Sequence, residues 1–70
     1  MSNIAGVETG KVKFYNKNKG YGFIVDDNTQ TDVFFHVTGM VDEVKEGDAV
    51  QYILGNGKKG VVALEVSLTK

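Results

Sequence analysis

Apolar and polar residues alternate in five short segments of this 70-residue chain, which is typical of β-strands. The predicted strands cover residues 11–15, 21–25, 32–37, 48–54 and 61–68. In the first strand, two rings follow each other directly at Phe14 and Tyr15. One ring must therefore be out of phase, or the strand contains a bulge. No window carries a helical stripe of useful length, so the pattern predicts an all-β protein.

Turn residues separate the predicted strands at residues 16–20, 26–31 and 55–60. Residues 39–47 are irregular and acidic, with room for one helical turn at most. Residues 1–9 have no clear period and are predicted to form a loosely held tail, which leaves residues 10–70 as the domain. A chain this short avoids exposed sheet edges best by curling its sheet, so we expect a five-stranded antiparallel barrel.

The two-residue period of a strand assigns a face to each side chain. The predicted inward residues are apolar: Val12, Ile24, Val33, Phe35, Val50, Ile53, Val62, Leu64 and Val66. On the opposite face of the second and third strands lie four rings, those of Tyr21, Phe23, Phe34 and His36. A single aromatic residue in a strand usually belongs to the core. Here the core face is already occupied, so we predict that the four rings form an exposed platform.

Charge is unevenly distributed, although the net charge is only −1. Residues 10–25 contain four lysines and no carboxylate, whereas residues 42–48 contain four carboxylates and one lysine. The basic segment coincides with the aromatic segment. Exposed rings bordered by lysines suit the bases and phosphates of single-stranded nucleic acid. The alternative, that these lysines are simply solvated, remains open on charge alone.

Composition excludes several other classes. The chain has no cysteine and one histidine, so disulfides are excluded and a zinc centre is not expected. No serine, cysteine or second histidine lies near His36 in the sequence, so we expect neither an enzyme nor a cofactor. There is no signal-peptide pattern and no stretch near the roughly 20 apolar residues of a membrane span. We therefore expect a cytoplasmic protein.

Three strings of residues resemble the bacterial cold-shock domain in order and spacing. They are Gly10-Lys11-Val12-Lys13-Phe14-Tyr15-Asn16, Lys19-Gly20-Tyr21-Gly22-Phe23-Ile24 and Asp32-Val33-Phe34-Phe35-His36-Val37. The resemblance runs from about residue 10 to the C-terminus. It implies a five-stranded oligonucleotide-binding (OB) barrel that binds single-stranded RNA or DNA and acts as an RNA chaperone. The RNA recognition motif shares part of the second string, but it needs two helices for which this chain has no room.

The chain departs from the family pattern at its outer stacking positions. Phe14 stands where the family usually has tryptophan, and Val37 stands where it often has an aromatic residue. The connection at residues 38–48 looks shorter than usual and lacks the family's phenylalanine. Gly60-Val61 replaces a Gly-Pro turn. We therefore expect a divergent member with shorter reach and lower affinity than a typical relative.

The resemblance and the pattern together predict the binding residues. Stacking is expected from Tyr21, Phe23, Phe34 and His36, with Phe14 outside and Tyr15 at the margin. Lys13 and Lys19 are the main candidate phosphate partners, Lys11 and Lys17 are weaker ones, and Lys58 could close over a strand end. Asp32 could accept a hydrogen bond from a base or simply cap a turn. Asn16 and Gln30 are minor candidates.

Several alternatives remain open at this stage. The ligand could be RNA or DNA, and a pyrimidine-rich strand is expected. The protein is expected to be a monomer, with a strand-exchanged dimer as the alternative. The main competing function is a protein-interaction module, which the acidic segment and the apolar residues 39–41 favour.

Overall fold

The computed structural model describes residues 7–57 and 60–69. The five strands are β1 (Val7–Asn16), β2 (Tyr21–Asp26), β3 (Asp32–His36), β4 (Ala49–Gly57) and β5 (Gly60–Leu68). A single-turn 3₁₀ helix at Val37–Gly39 follows β3. The strands form one closed barrel in the order β1-β2-β3-β5-β4, which confirms the predicted all-β barrel of five strands.

Strand β1 begins earlier than the sequence pattern predicts. Val7, Glu8 and Thr9 pair with β4, so the last three residues of the predicted tail belong to the barrel. The other tail residues, 1–6, lie outside the described part of the chain. The backbone N–H and C=O groups of this segment find their hydrogen-bond partners on β4. Such pairing does not require apolar and polar side chains to alternate, so the sequence pattern did not reveal this part of the strand.

The antiparallel prediction is wrong for one pair of strands. Pairs β1–β2, β1–β4, β2–β3 and β4–β5 are antiparallel, but β3 and β5 run parallel where Phe34 meets Val62 and Phe35 meets Ala63. The reason is geometric. Directions cannot alternate all the way around a closed ring with an odd number of strands, so at least one parallel pair is unavoidable.

Most predicted inward residues are in the core, but the prediction is wrong in β4 and β5. Val12, Ile24, Val33, Phe35, Val50 and Val66 are buried, whereas Ile53 and Val62 are half-buried. Leu64 is 42% exposed, and Tyr52 and Ala63 are buried instead. The ladder between β4 and β5 shifts register between Gln51 and Ile53, where β5 carries an extra residue. Such a bulge reverses the alternation of side chains beyond it, which explains Ala63 and Leu64 in β5. In β4 the alternation continues from Val50 to Tyr52, so the predicted inward position of Ile53 was out of phase with Val50.

A second bulge lies in β1, as the adjacent rings of the sequence suggested. Val12 pairs with Ile24 and Phe14 pairs with Phe23, so Lys13 is the extra residue. Because of this bulge, Lys13 and Phe14 are both exposed while Val12 is buried. The bulge therefore places a cation and a ring side by side on the outer surface of the barrel.

Candidate nucleic-acid interface

An aromatic surface covers the outside of β1, β2 and β3. We call it the platform, and it consists of Phe14, Tyr21, Phe23, Phe34 and His36. Tyr21 lies opposite His36, and Phe23 lies opposite Phe34, in the β2–β3 ladder. Phe14 faces Phe23 from β1. The sequence-predicted stacking residues are thus on one face, and all five are at least partly exposed.

Four rings of the platform, those of Phe14, Tyr21, Phe23 and Phe34, contact one another. Tyr21 stacks on Phe34 with ring centroids 5.7 Å apart and an interplanar angle of 27°. Phe23 meets Phe34 edge-on at 5.8 Å, and Phe14 meets Tyr21 at 6.0 Å. These are the offset and edge-to-face geometries that aromatic pairs prefer. The platform is therefore preorganised, and its outer surface is available for further stacking.

The structure decides between Phe14 and Tyr15, which the sequence left open. Phe14 is 38% exposed and belongs to the platform. Tyr15 packs against the core, with its ring stacked on buried Phe35 at 5.7 Å and 30°. Among the predicted binding residues, Tyr15 is thus the ring that lies off the platform.

The local structure at Gly22 explains how β1 and β2 come so close together. A Cβ atom at Gly22 would lie 2.2 Å from the carbonyl oxygen of Phe14 and 2.8 Å from the ring of Phe35. Only glycine leaves room for both neighbours. Gly22 therefore allows Phe35 to fill the core directly beneath the platform.

His36 is held by the 3₁₀ helix that follows it. The backbone N–H of Thr38 donates a hydrogen bond to Nδ1 of His36 at 3.2 Å, and the Thr38 hydroxyl lies 3.0 Å from the same nitrogen. An Nδ1 that accepts a backbone N–H carries no proton in the neutral ring. The proton of neutral His36 is then on Nε2, which can donate to a base while the ring stacks.

The lysines near the platform differ in their surroundings. Lys13 pairs with Asp32 at 3.1 Å, Lys17 with Glu43 at 3.0 Å, and Lys11 with Asp27 at 3.9 Å. Lys19 borders the platform beside Tyr21, Phe23, Phe34 and His36, and it has no ion pair among residues 7–57 and 60–69. Of the four basic residues in this segment, Lys19 is the cation best placed for a phosphate.

Other predicted binding residues have structural contacts. The Asn16 side chain accepts a hydrogen bond from the Lys19 backbone N–H at 3.0 Å, so it shapes the β1–β2 turn. The carboxylate of Asp32 is engaged by Lys13. The Gln30 side chain donates to the Asp27 carbonyl at 2.9 Å within the β2–β3 turn. Lys58 lies outside the described residues.

A groove at one end of the barrel was missed by the sequence analysis. It is lined by Tyr15, Lys17, Val37, Met40, Val41, Asp42 and Glu43, and we call it the end groove. The hydrogen bond with Glu43, together with its charge, raises the pKa of Lys17. Lys17 and Glu43 are 26 residues apart, and no local sequence signal indicates that they pair.

Two other kinds of site can be assessed within the described ranges. Residues 7–57 and 60–69 contain no group of three or more His, Cys, Asp or Glu side chains suited to a metal ion. The helix described there has three residues, and none of the described helical structure could traverse a bilayer.

Comparisons with known proteins agree with this geometry. The family model for the 'Cold-shock' DNA-binding domain matches residues 8–69. The cold shock-like protein CspA of Vibrio cholerae is 43% identical over 63 residues, covering 84% of this chain and 90% of the relative. The cold shock-like protein of Thermotoga maritima is 40% identical over 65 residues, covering 87% and 97%.

A solved structure with the same fold is Drosophila Unr CSD456. It matches with a TM-score of 0.78 and 22% identity over 91% of this chain. The present chain corresponds to 27% of that longer chain.

Proposed function

Since this chain belongs to the cold-shock domain family, we propose that it binds single-stranded RNA or DNA on the platform and acts as an RNA chaperone without catalysis. The observation that carries this proposal is the exposed aromatic surface of Phe14, Tyr21, Phe23, Phe34 and His36. Each base that stacks on such a ring contributes about 1–3 kcal/mol, as measured by truncation of the ring.

The chaperone mechanism follows from stacking. A base that lies on the platform cannot also stack and pair inside a hairpin, so binding shifts the hairpin equilibrium toward the open strand. His36 can add a hydrogen bond from Nε2, and Lys19 can attract a phosphate. No step requires a bond to be made or broken, and weak contacts allow a ribosome or polymerase to displace the protein.

The proposal also covers the base preference, the type of nucleic acid, the location and the oligomeric state. We expect a preference for pyrimidine-rich strands. Stacking surfaces of this kind show such modest preferences, which come from stacking strength and from the flexibility of the nucleic-acid backbone. The contact expected between the Lys19 side chain and a phosphate can form with RNA or with DNA, so it does not distinguish the two. We propose a cytoplasmic monomer.

The proposal is tested by fluorescence titration of the tyrosines with heptathymidine and heptauridine. Saturable quenching at micromolar protein is expected. Phe34→Ala should weaken binding about 5- to 150-fold, the equivalent of about 1–3 kcal/mol. The matched control is Leu54→Ala, because Leu54 is also apolar and partly exposed (43%) but lies on β4, away from the platform. Absence of saturable quenching with both oligonucleotides would refute the proposed function.

A second candidate function is recruitment of a protein partner, and the end groove favours it. Val41 is 67% exposed and Val37 is 41% exposed, beside the carboxylates of Asp42 and Glu43. An apolar, acidic groove fits a cationic peptide with an apolar anchor. This function predicts that Phe23→Ala and Phe34→Ala leave partner binding unchanged, although both substitutions weaken oligonucleotide binding.

A further inference from the structure

The platform has an ion pair beyond each of its two ends. At one end, the β2–β3 ladder continues from Phe23 and Phe34 to Val25 and Asp32. There the Asp32 carboxylate reaches Lys13 on β1, at 3.1 Å. Because β2 lies between β1 and β3, this pair spans β2 just past the last rings.

The opposite end of the platform meets the end groove. Gly20 and Val37 flank Tyr21 and His36, and the Val37 N–H donates to the Gly20 carbonyl at 2.7 Å. Beyond them lies the pair of Lys17 and Glu43, with Asp42 in the same groove. A strand that continued past Tyr21 and His36 would therefore enter an acidic region.

Both ion pairs make their lysines less available to a phosphate group. Lys13 and Lys17 each have a carboxylate oxygen within about 3 Å, at 3.1 Å and 3.0 Å. A phosphate must compete with that carboxylate and is also repelled by it. Lys19 has no such competitor among the described residues. Attraction of the phosphate backbone is thus concentrated at Lys19, which borders the platform.

We propose that the Lys13–Asp32 and Lys17–Glu43 pairs limit the site to a short unpaired stretch of about four nucleotides, the lower limit for OB folds. Asp32 and Glu43 are then specificity-determining residues, because they exclude longer strands from the ends of the platform. The inference rests on the proposed function and specifies its ligand. The ligand that fits is a short unpaired stretch, whose bases are unstacked and free to lie on the rings.

The test measures dissociation constants for oligothymidines of two to eight nucleotides at several salt concentrations. The wild-type affinity should rise up to about four nucleotides and then gain only the small statistical factor for additional binding positions. The salt dependence should have a slope of about −0.7, which corresponds to one phosphate neutralised on a single strand. That phosphate is assigned to Lys19.

The double variant Asp32→Asn/Glu43→Gln should release both lysines. Its salt slope should steepen to about −2, because three lysines would then contact phosphates at about −0.7 each. Its affinity should continue to rise beyond four nucleotides. Glu43→Gln alone should show part of both effects. Glu43 is highly exposed (71% for its side chain), so the fold should persist, and circular dichroism checks this.

The matched control is Glu46→Gln. It removes the same charge from the same connection, and Glu46 has no ion pair in the described part of the chain. It should leave the salt slope and the length dependence unchanged. A wild-type affinity that keeps rising to seven nucleotides would overturn the inference alone. Equal effects of Glu46→Gln and Glu43→Gln would overturn it too. Absence of binding at every length would instead refute the proposed function, and the inference with it.

Discussion

The Tyr52 hydroxyl on β4 donates a hydrogen bond to the Asp26 carboxylate at the end of β2, inside the barrel. Asp26 is 4% exposed and Tyr52 is 1% exposed. The backbone N–H groups of Asn28 and Thr29 also donate to this carboxylate, at 2.8 and 3.1 Å. The buried acid therefore ties β4 to the β2–β3 turn, and it has hydrogen-bond partners from two parts of the chain.

Removal of the Tyr52 hydroxyl should destabilise the barrel. Tyr52→Phe leaves the buried Asp26 carboxylate without one donor, and a hydrogen bond to a charged group contributes about 1.5–3 kcal/mol. The free energy of unfolding in urea should fall by about that amount. Tyr21→Phe is the control, because its ring lies on the platform. It should change stability by less than about 0.5 kcal/mol. Equal effects of the two substitutions would contradict this role for Tyr52.

Stability should also depend on pH through Asp26. Burial by itself raises the pKa of Asp26, but hydrogen bonds from Tyr52, Thr29 and Asn28 together outweigh burial and lower it below its ordinary value of 3.8. A lowered pKa in the folded state stabilises the fold above the unfolded pKa, and this contribution is lost as the pH falls below it.

Asp26→Asn should therefore lower the free energy of unfolding at neutral pH, and its deficit relative to the wild type should shrink below about pH 4. Urea unfolding of both proteins from about pH 7 down to about pH 2.5 measures this difference. A deficit that stays constant over the whole range would show that the charge of Asp26 is not what stabilises the fold.

Alanine at Gly22 should be far more costly than alanine at Gly55. A Cβ at Gly22 would meet a backbone oxygen at 2.2 Å, which cannot move away without shifting β1. We expect Gly22→Ala to cost about 3 kcal/mol, the upper end of ordinary overpacking. A Cβ at Gly55 would meet a methyl group of Leu64 at 2.6 Å, and that partly exposed side chain can rotate. Thermal unfolding of both variants should separate them clearly, and similar melting temperatures would disprove the explanation.

Replacing Glu65 should stabilise the protein. Glu65 lies in the β5 bulge with φ 53°, a left-handed conformation that costs a long side chain about 1–2 kcal/mol. Asparagine tolerates this region better, so Glu65→Asn should add roughly 0.5–1 kcal/mol to the free energy of unfolding. Glu46→Asn is the control, since Glu46 does not have a positive φ. A loss of stability in Glu65→Asn would contradict the argument.

The platform was predictable because side-chain direction in a strand is a local property. Tyr21 and Phe23 share a face whatever the strand pairs with, and so do Phe34 and His36. The pattern failed where a bulge interrupted it, as at Leu64. The alternation of apolar and polar residues did not indicate which strands run parallel. A closed barrel of five strands requires at least one parallel pair, and the structure shows that it is β3 with β5.

The sequence by itself determined the all-β class, the number and order of the strands and the common face of the four rings on β2 and β3. The tertiary structure decided the surroundings of the lysines. Lys13 and Asp32 are 19 residues apart, and they meet only because β1 and β3 flank β2 in the closed barrel. The periodicity of a strand depends on its own backbone, whereas the partner of a charged side chain depends on which distant segments the barrel brings together.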